Sequence, residues 1–271
     1  MPRSTLSVAI VTLNEADNLG RTLASVRFAD EIVIVDSGST DGTVEIARSL
    51  GAKVFSEEWK GFALQKNSAI DKCTGTWVLS LDADEELTAE LQAEIRGMLE
   101  ADSQIVPPVD GYLLRLRHVF LGRWMRYGGY YPDMKLRLFR RVTNSGAAHF
   151  TDRPVHESVQ VAGRVETMEK DFLHHGYPNL EVYLEHMDRY STLGARIVAA
   201  KGKVSRSLPA FCWNVALVPL LTFVWNYIFR LGFLDGREGL LLHLYHSAYI
   251  SWKYAKAWQI GRGAQPVKKT T

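Results

Sequence analysis

Strand–helix alternation fills the first hundred residues, and it constrains the fold more than any other feature of the chain. Short runs rich in β-branched residues precede helical periods, a pattern typical of βαβ units with a mainly parallel sheet. The predicted strands are Leu6–Leu13, Glu31–Asp36, Ala52–Ser56 and Thr76–Leu81, and the predicted helices are Asn18–Val26, Thr43–Leu50, Phe62–Lys72 and Thr88–Leu99. The sequence therefore predicts an α/β fold with a Rossmann-like, mostly parallel sheet flanked by helices.

Polar residues stand where three of these strands end. Asn14 and Glu15 follow the first strand, Asp36 ends the second, and Asp82 and Asp84 follow the fourth. Ligands of such sheets bind at the carboxyl ends of the strands, and carboxylate oxygens suit a hard divalent cation that also holds a diphosphate. We therefore predict a nucleotide cleft in which Asp84 ligates Mg²⁺ or Mn²⁺ and Asp82 contacts a ribose or a metal-bound water.

Each of these acidic segments also has a purely structural interpretation. Asp82 and Asp84 could begin a solvated acidic loop that continues through Glu85 and caps the next helix. Asp41 precedes a helix and is interpreted as a capping residue. Capping does not need a carboxylate at the strand end itself, so Asp36 is predicted to contact the base or ribose of a nucleotide.

Titratable residues in the rest of the chain supply further candidates. Lys66, early in a predicted helix, is placed to reach a phosphate, with an ordinary exposed lysine as the alternative. Alternation along a predicted strand puts Arg137 and Arg140 on opposite faces, so they cannot serve one site. Glu157, next to a histidine, could take a proton from an attacking hydroxyl, or form a surface pair with it. Of the adjacent loop histidines that begin at His174, at most one would face a metal.

The C-terminal part differs in composition from the rest. Residues 201–271 hold ten Lys/Arg and two Asp/Glu, and residues 207–229 carry no charge. As a helix the uncharged stretch would extend roughly 35 Å, enough for a bilayer core. We predict a membrane-surface or re-entrant helical hairpin completed by residues 240–258. The alternatives are a soluble oligomer interface and a buried helical layer.

Charge and cysteine content restrict the partners and the compartment. The basic excess favours an anionic membrane surface, and it lies on no nucleic-acid-binding motif, so no nucleic-acid partner is expected. Cys73 and Cys212 have no disulfide or zinc spacing, which fits a reducing compartment. We expect the protein at the cytoplasmic face of the inner membrane, with residues 1–200 as the domain that binds the nucleotide ligand and an acceptor and residues 201–271 as a helical, basic and apolar, membrane-seeking extension.

Three motifs stand at the predicted strand ends: Val-Ala-Ile-Val-Thr-Leu-Asn-Glu at residues 8–15, Val-Asp-Ser-Gly-Ser-Thr-Asp-Gly-Thr at residues 35–43 and Leu-Asp-Ala-Asp at residues 81–84. Together they resemble family 2 glycosyltransferases of GT-A fold. The later segments resemble the branch that contains lipopolysaccharide-core glucosyltransferases, and they lie at residues 137–141, 155–157, 174–177 and 233–239.

The resemblance implies an inverting transferase that uses a nucleotide-diphosphate sugar and a divalent metal, Mg²⁺ or Mn²⁺. By this likeness Thr12 and Glu15 line the nucleotide pocket and Asp36 holds the base. Asp82 lies on the ribose or diphosphate side, and Asp84 in the D-x-D motif holds the metal. Lys66 is a further predicted nucleotide-sugar contact.

The catalytic base is where the sequence departs from the family. Many relatives place it in a Glu-Asp pair of the second half, and this sequence has no such pair. Glu157 is the predicted substitute, with Asp133 and Asp152 as rivals, and His174 is the predicted second metal ligand. The expected acceptor is a lipid-linked or lipopolysaccharide-core glycan that receives a hexose such as glucose.

Two other classes of protein remain as alternatives. A nucleotidyltransferase also combines such a sheet with acidic metal ligands, but it usually has a glycine-rich, basic phosphate loop after its first strand, and residues 12–15 read Thr-Leu-Asn-Glu. A non-catalytic membrane-bound scaffold would have no need of the carboxylates at Asp36, Asp82 and Asp84.

Overall fold

The structure is a computed structural model, and it divides the chain into two compact units. The described residues are 3–105, 107–143, 146–151 and 158–263. The first unit comprises Met1–Arg117 with Pro132–His175, and the second comprises His118–Tyr131 with Gly176–Thr271. The predicted functional boundary at residue 200, between the ligand-binding domain and the membrane-seeking extension, stays a prediction.

The described strands and helices alternate through the first part of the chain. The strands are β1 Leu6–Thr12, β2 Glu31–Asp36, β3 Lys53–Ser56, β4 Trp77–Asp82, β5 Glu85–Leu87, β6 Gly111–Phe120, β7 Arg123–Trp124, β8 Asp133–Arg140, β9 Val142–Thr143, β10 Gly146–Ala147, β11 His149–Phe150, β12 Val159–Gln160 and β13 Val165–Tyr177. The α-helices are α1 Ala16–Ser25, α2 Thr43–Ser49, α3 Phe62–Asp71, α4 Ala89–Ala101, α5 Leu180–Ala200, α6 Leu208–Cys212, α7 Val218–Phe223 and α8 Gly236–Gly261. Short 3₁₀ segments lie at Asp102–Gln104 and Gly232–Asp235, and π-helical segments at Trp213–Leu217 and Val224–Phe229.

The main sheet has the strand order β3-β2-β1-β4-β8-β6-β13-β5. β1 pairs in parallel with β2 and with β4, and β2 pairs in parallel with β3. β8 then runs antiparallel to both β4 and β6, and β5 antiparallel to β13. The predicted α/β fold with its parallel, helix-flanked sheet is confirmed.

Both faces of the parallel part of the sheet are buried, which gives three layers. Val8 and Ile10 face one hydrophobic cluster together with Leu23 of α1. Ala9, which points the other way, belongs to a second cluster with Ile70 of α3. Strands buried on both faces read as continuous apolar runs, as the segment β1 does.

Local sequence patterns predicted the positions of the helices well, but they did not predict the long strand β13. Thr88 caps α4, since its hydroxyl accepts the N–H of Leu91 at 3.2 Å. His174 lies in the 13-residue strand β13 rather than in a loop, so the loop assignment was wrong.

The second unit is helical and has its own aromatic core. α5 packs against α8. The buried core residues are Phe120, Met125, Tyr183, Met187 and Leu242. Asp235, 2% exposed, accepts the backbone N–H groups of Arg126 at 3.2 Å and Tyr127 at 2.9 Å. The glycine-rich segment 232–239 therefore holds the chain that follows β7.

The uncharged stretch of the second unit forms a continuous helical segment. Leu208–Phe229 is long and apolar enough to cross a membrane, judged by length and composition, and 6% of its apolar window is buried. The alternative of a buried helical layer is therefore wrong for this segment. Trp213, Trp225 and Phe229 are each more than half exposed.

His243 of α8 is enclosed without hydrogen-bond partners in the described part of the chain. It is 1% exposed, and its ring lies between the rings of Tyr130 and Tyr227, whose centroids are 5.7 and 6.1 Å away. A Cβ at Gly128 or Gly232 would lie 2.1 or 2.3 Å from the imidazole. Burial, aided by His246 and opposed by Asp235, lowers the pKa of His243 to about 4.

This buried histidine predicts a loss of stability in acid. In the unfolded chain His243 binds its proton near its ordinary pKa of about 6.5. Above that pH the neutral His243 makes its full contribution to the free energy of unfolding. As the pH falls from about 6.5 to 4, the free energy of unfolding decreases by up to about 3 kcal/mol. Urea unfolding across this range should show a smaller loss for His243→Gln, whereas the exposed control His149→Gln should behave as the parent. Equal losses in the parent and His243→Gln would contradict the assignment.

Candidate active site

The register of three parallel strands brings their polar ends to one edge of the sheet. Thr12 lies opposite Asp36 across β1 and β2, and Val11 lies opposite Asp82 across β1 and β4. The predicted nucleotide-binding residues of these strands therefore share one rim, as expected for parallel neighbours.

Asp36 is buried and fully engaged in hydrogen bonds. Its carboxylate accepts the Thr12 hydroxyl at 3.1 Å, the N–H groups of Gly38 and Ser39 at 2.9 and 3.0 Å, and the Ser39 hydroxyl. Burial alone would raise the pKa of Asp36, but the bonds from Ser39, Gly38 and Thr12 lower it. Gly38 has φ +98°, which suits glycine. Asp36 thus holds the turn after β2 as an ionised carboxylate.

The turns after β1 and β2 are tied to each other. Asn14, with φ 55°, donates its N–H to the Ser39 hydroxyl at 2.8 Å, and its side-chain oxygen accepts the N–H of Thr40 at 2.8 Å. Asp41 accepts the N–H groups of Thr43 at 3.0 Å and Ala16 at 3.2 Å. The N-cap position of α2 is Gly42 rather than Asp41, so the predicted cap is one residue off, although the Asp41 carboxylate still accepts the N–H of the first helical residue, Thr43. The bracing role of Asn14 was not foreseen.

Asp82 lies between two cations. Its carboxylate is 2.8 Å from Lys66 Nζ and 2.7 Å from Arg137 Nη2. Burial disfavours the charged form, but the nearby Lys66 and Arg137 hold the pKa of Asp82 far below its usual range. Lys66 and Asp82, which were predicted separately as nucleotide contacts, are thus paired with each other.

Glu85 completes this charged cluster, and sequence reasoning missed it. Glu85 is 1% exposed, so it is not part of a solvated acidic loop. Its carboxylate is 2.5 Å from Arg137 and accepts the N–H of Asp82 at 2.9 Å. Burial raises the pKa of Glu85, with Arg137 opposing that shift. The sequence did carry a signal for this burial, because Glu85 and Leu87 lie two residues apart in β5 and therefore share its buried face.

The opposite-face prediction for the two arginines of β8 is confirmed. Arg137 contacts Asp82 and Glu85, whereas Arg140 contacts Asp102 at 2.6 Å. Of these two arginines, Arg137 is the one that reaches the rim.

β13 brings His174 to Asp84, 90 residues away along the chain. His174 Nε2 is 3.1 Å from the Asp84 carboxylate, whereas His175 lies 2.9 Å from Glu86. The adjacent histidines therefore face different partners, as predicted. Burial lowers the pKa of His174, but Asp84, helped by Glu85 and Asp82, outweighs this and raises it to about 9.

Negative charge accumulates around this pair. Burial raises the pKa of Glu15, which Asn18 opposes through a hydrogen bond, and the carboxylates of Asp84, Asp41 and Asp82 raise it further. Such clustering favours a bound cation.

The available side-chain ligands fit a cation whose other coordination positions are filled by phosphate oxygens. Within the described residues, no group of three or more His, Cys, Asp or Glu side chains is arranged to hold a metal ion. Asp84 and His174 offer one carboxylate and one imidazole. Mg²⁺ at phosphate sites commonly takes one or two carboxylates and fills its other positions with phosphate oxygens and water.

The described residues include one of the three candidate catalytic bases. Glu157 and Asp152 lie outside the described residues. Asp133 begins β8, and its carboxylate is 3.1 Å from Lys135 Nζ. The choice among the three stays a prediction.

Known proteins match this sequence over most of its length. The family model of Glycosyl transferase family 2 matches residues 7–159. An uncharacterized glycosyltransferase of Rickettsia felis is 33% identical over 215 residues, covering 73% of this chain and 71% of that protein. The lipopolysaccharide core biosynthesis glycosyltransferase LpsC of Rhizobium meliloti is 31% identical over 268 residues, covering 96% of this chain and 94% of LpsC. The solved structure of S. aureus TarS 1-349 in complex with UDP-GlcNAc is 16% identical, with a TM-score of 0.49 and coverage of 96% of this chain and 92% of that one.

An α/β sheet with an acidic rim at its parallel strand ends is the arrangement of a nucleotide-binding α/β enzyme. The chain belongs to glycosyl transferase family 2. The predicted likeness to the lipopolysaccharide-core branch is confirmed by the match to LpsC.

The buried cluster predicts a large effect of removing its central cation. Arg137→Met would leave Glu85 and Asp82 without their shared partner, which costs about 3–5 kcal/mol of unfolding free energy. The double variant Glu85→Gln with Arg137→Met should recover part of that loss. Urea unfolding measures both, and a loss below about 1 kcal/mol for the single variant would show that the cluster contributes little.

Proposed function

We propose that this protein is an inverting glycosyltransferase that moves a hexose, such as glucose from UDP-glucose, to a lipid-linked or lipopolysaccharide-core acceptor. The observation that carries the proposal is the shared rim of Thr12, Asp36 and Asp82 in a family 2 chain, with Asp84 two residues beyond Asp82. S. aureus TarS, whose fold is similar, has been solved with UDP-GlcNAc.

The nucleotide-sugar would lie along the ends of β1, β2 and β4. Asp36 presents a braced turn to the base or ribose, and Thr12 and Glu15 line the same side. Lys66 and Asp82 lie toward the diphosphate. Because Asp36 and Asp82 already hold several partners, donor binding would exchange some of these contacts rather than fill free ones.

Asp84 and His174 are the residues that would hold Mg²⁺ or Mn²⁺. The solved glucosyl-3-phosphoglycerate synthase from Mycobacterium tuberculosis is described in complex with Mn²⁺ and UDP. When bound, such a cation neutralises charge on the departing diphosphate. The imidazole of His174 would have to give up the proton that Asp84 now stabilises.

The transfer itself is a single displacement. The acceptor hydroxyl oxygen forms a bond to the anomeric carbon as the bond from that carbon to the diphosphate breaks. Glu157 takes the hydroxyl proton, and the nucleoside diphosphate leaves with the bonding electron pair. Asp133 and Asp152 are the rival bases.

The apolar helical segment supports a membrane location. Leu208–Phe229 exposes large apolar side chains, and the surrounding residues 201–271 are strongly basic. Large exposed apolar patches mark interaction sites, and a basic setting favours anionic lipid. We propose association with the cytoplasmic face of the inner membrane, where a lipid-linked acceptor is within reach. A homo-oligomer interface on the same segment is the alternative.

The family match also weighs against the two other classes. Product analysis separates a nucleotidyltransferase, which would release pyrophosphate, from a glycosyltransferase, which releases the nucleoside diphosphate. Slow hydrolysis of the donor without acceptor would exclude a non-catalytic scaffold.

Asp84→Ala should abolish the metal-dependent part of donor binding. In a thermal-shift panel of nucleotide sugars, UDP-glucose with Mn²⁺ should stabilise the parent more than UDP-glucose with EDTA. Asp84→Ala should show no such difference in thermal stabilisation, and its turnover should be about 10²–10³-fold slower than that of the parent. The exposed control Glu58→Ala should keep both the stabilisation and the parental turnover. Full parental activity in EDTA would refute the metal role.

Glu157→Gln should separate donor binding from turnover. Loss of a positioned base lowers kcat by about 10²–10⁴-fold and leaves the donor affinity unchanged. Asp133→Asn and Asp152→Asn serve as matched variants with near-parental rates. If Glu157→Gln turns over normally and one of the others does not, that other carboxylate is the base.

A further inference from the structure

An open, arginine-lined pocket of about 900 Å³ lies within the second unit. It is formed by the C-terminal ends of α5 and α8 and by residues 202–206 between α5 and α6. Arg196, Arg206 and Arg262 are among its lining residues, and none of the described residues that line it carries a carboxylate.

These arginines have no acidic partners in the described part of the chain. The ion pairs found there involve other cations, and Arg262 instead lies over the Trp258 ring at 4.9 Å. Lys201 and Lys203, both exposed, flank the pocket. Three arginines without acidic partners favour a bound anion, and arginine forks suit phosphate oxygens.

An apolar pocket of about 530 Å³ adjoins the first one at Trp258. Leu184, Phe211 and Trp252 line it, and the Phe211 ring lies 5.0 Å from the Trp258 ring. Its Asp188 and Lys256 are paired with each other at 2.7 Å, so this pocket adds no free charge. The combined site therefore offers an anion-binding end and an apolar end.

The pocket is continuous with the exposed apolar segment. Arg206 directly precedes Ser207, whose hydroxyl caps the helix beginning at Leu208. Basic residues at the end of a membrane-seeking helix lie at the level of lipid phosphates.

We infer that this pocket binds the phosphate of an anionic glycerophospholipid, with an acyl chain along Phe211 and Trp252. The inference rests on the proposed membrane association and adds a specific headgroup site to it. Recognition depends on the three guanidinium groups, so neutral lipid would bind more weakly.

The test compares vesicle binding by the full chain. The pocket variant carries Arg196→Gln, Arg206→Gln and Arg262→Gln, and the control carries Arg27→Gln, Arg48→Gln and Arg189→Gln, three exposed arginines outside the pocket with the same change in charge. Co-sedimentation uses phosphatidylcholine vesicles with and without phosphatidylglycerol. Unchanged donor hydrolysis verifies that each variant is folded.

We expect the pocket variant to lose about five-fold in anionic-vesicle affinity per arginine, on the order of 100-fold in total. The control should lose only a few-fold, and binding to neutral vesicles should change little in either. Equal losses in both variants would overturn the site in favour of general charge attraction. If soluble glycerol 3-phosphate binds the pocket as strongly as anionic vesicles do, the site serves free phosphate and the lipid assignment is wrong. If the parent binds no vesicle at all, the membrane proposal fails together with this one.

Discussion

Parallel pairing of β1 with β2 and β4 is the constraint on which the rest of the structure depends. This register alone places Thr12, Asp36 and Asp82 at one edge of the sheet. A slip of one residue in either pair would turn these side chains to the other face and expose the apolar residues that fill both layers. The two clusters that hold Val8 and Ala9 on opposite sides of β1 therefore fix the site as well as the core.

Charge balance within the rim is the second requirement. Lys66 and Arg137 face Asp82 and Glu85, so the innermost charges cancel within the protein. Farther out, Asp84, Glu15 and Asp41 bring negative charges together, and His174 offsets part of that charge through its contact with Asp84. The inner cluster fixes the loop after β4, and the outer one favours a cation. This separation follows from burial, because an unpaired inner carboxylate would be costly.

Sequence reasoning predicted what local pattern encodes. Strands β1, β2 and β4 and their polar ends follow from short continuous apolar runs, and helix α4 follows from the helical pattern of Thr88–Leu99. Partnerships formed by distant segments were harder to foresee. Arg137 reaches Asp82 and Glu85 only because β8 lies beside β4, and β13 delivers His174 to Asp84 from the far side of the sheet. The histidines of β13 looked like loop residues because the polar sequence of that strand gives no clear period. Asp36 was predicted as a ligand contact, and its network of turn hydrogen bonds depends on Asn14 and Ser39, which no spacing rule connects.

The central claim is that a nucleotide-sugar engages the ends of β2 and β4 together. Hydrogen exchange followed by mass spectrometry tests it directly, with UDP-glucose and Mn²⁺ added to the full chain. Peptides covering residues 36–43 and 82–88 should both exchange more slowly with the ligand, because the two turns would close on one molecule. Unchanged exchange in both peptides, with protection confined to other parts of the chain, would contradict the claim.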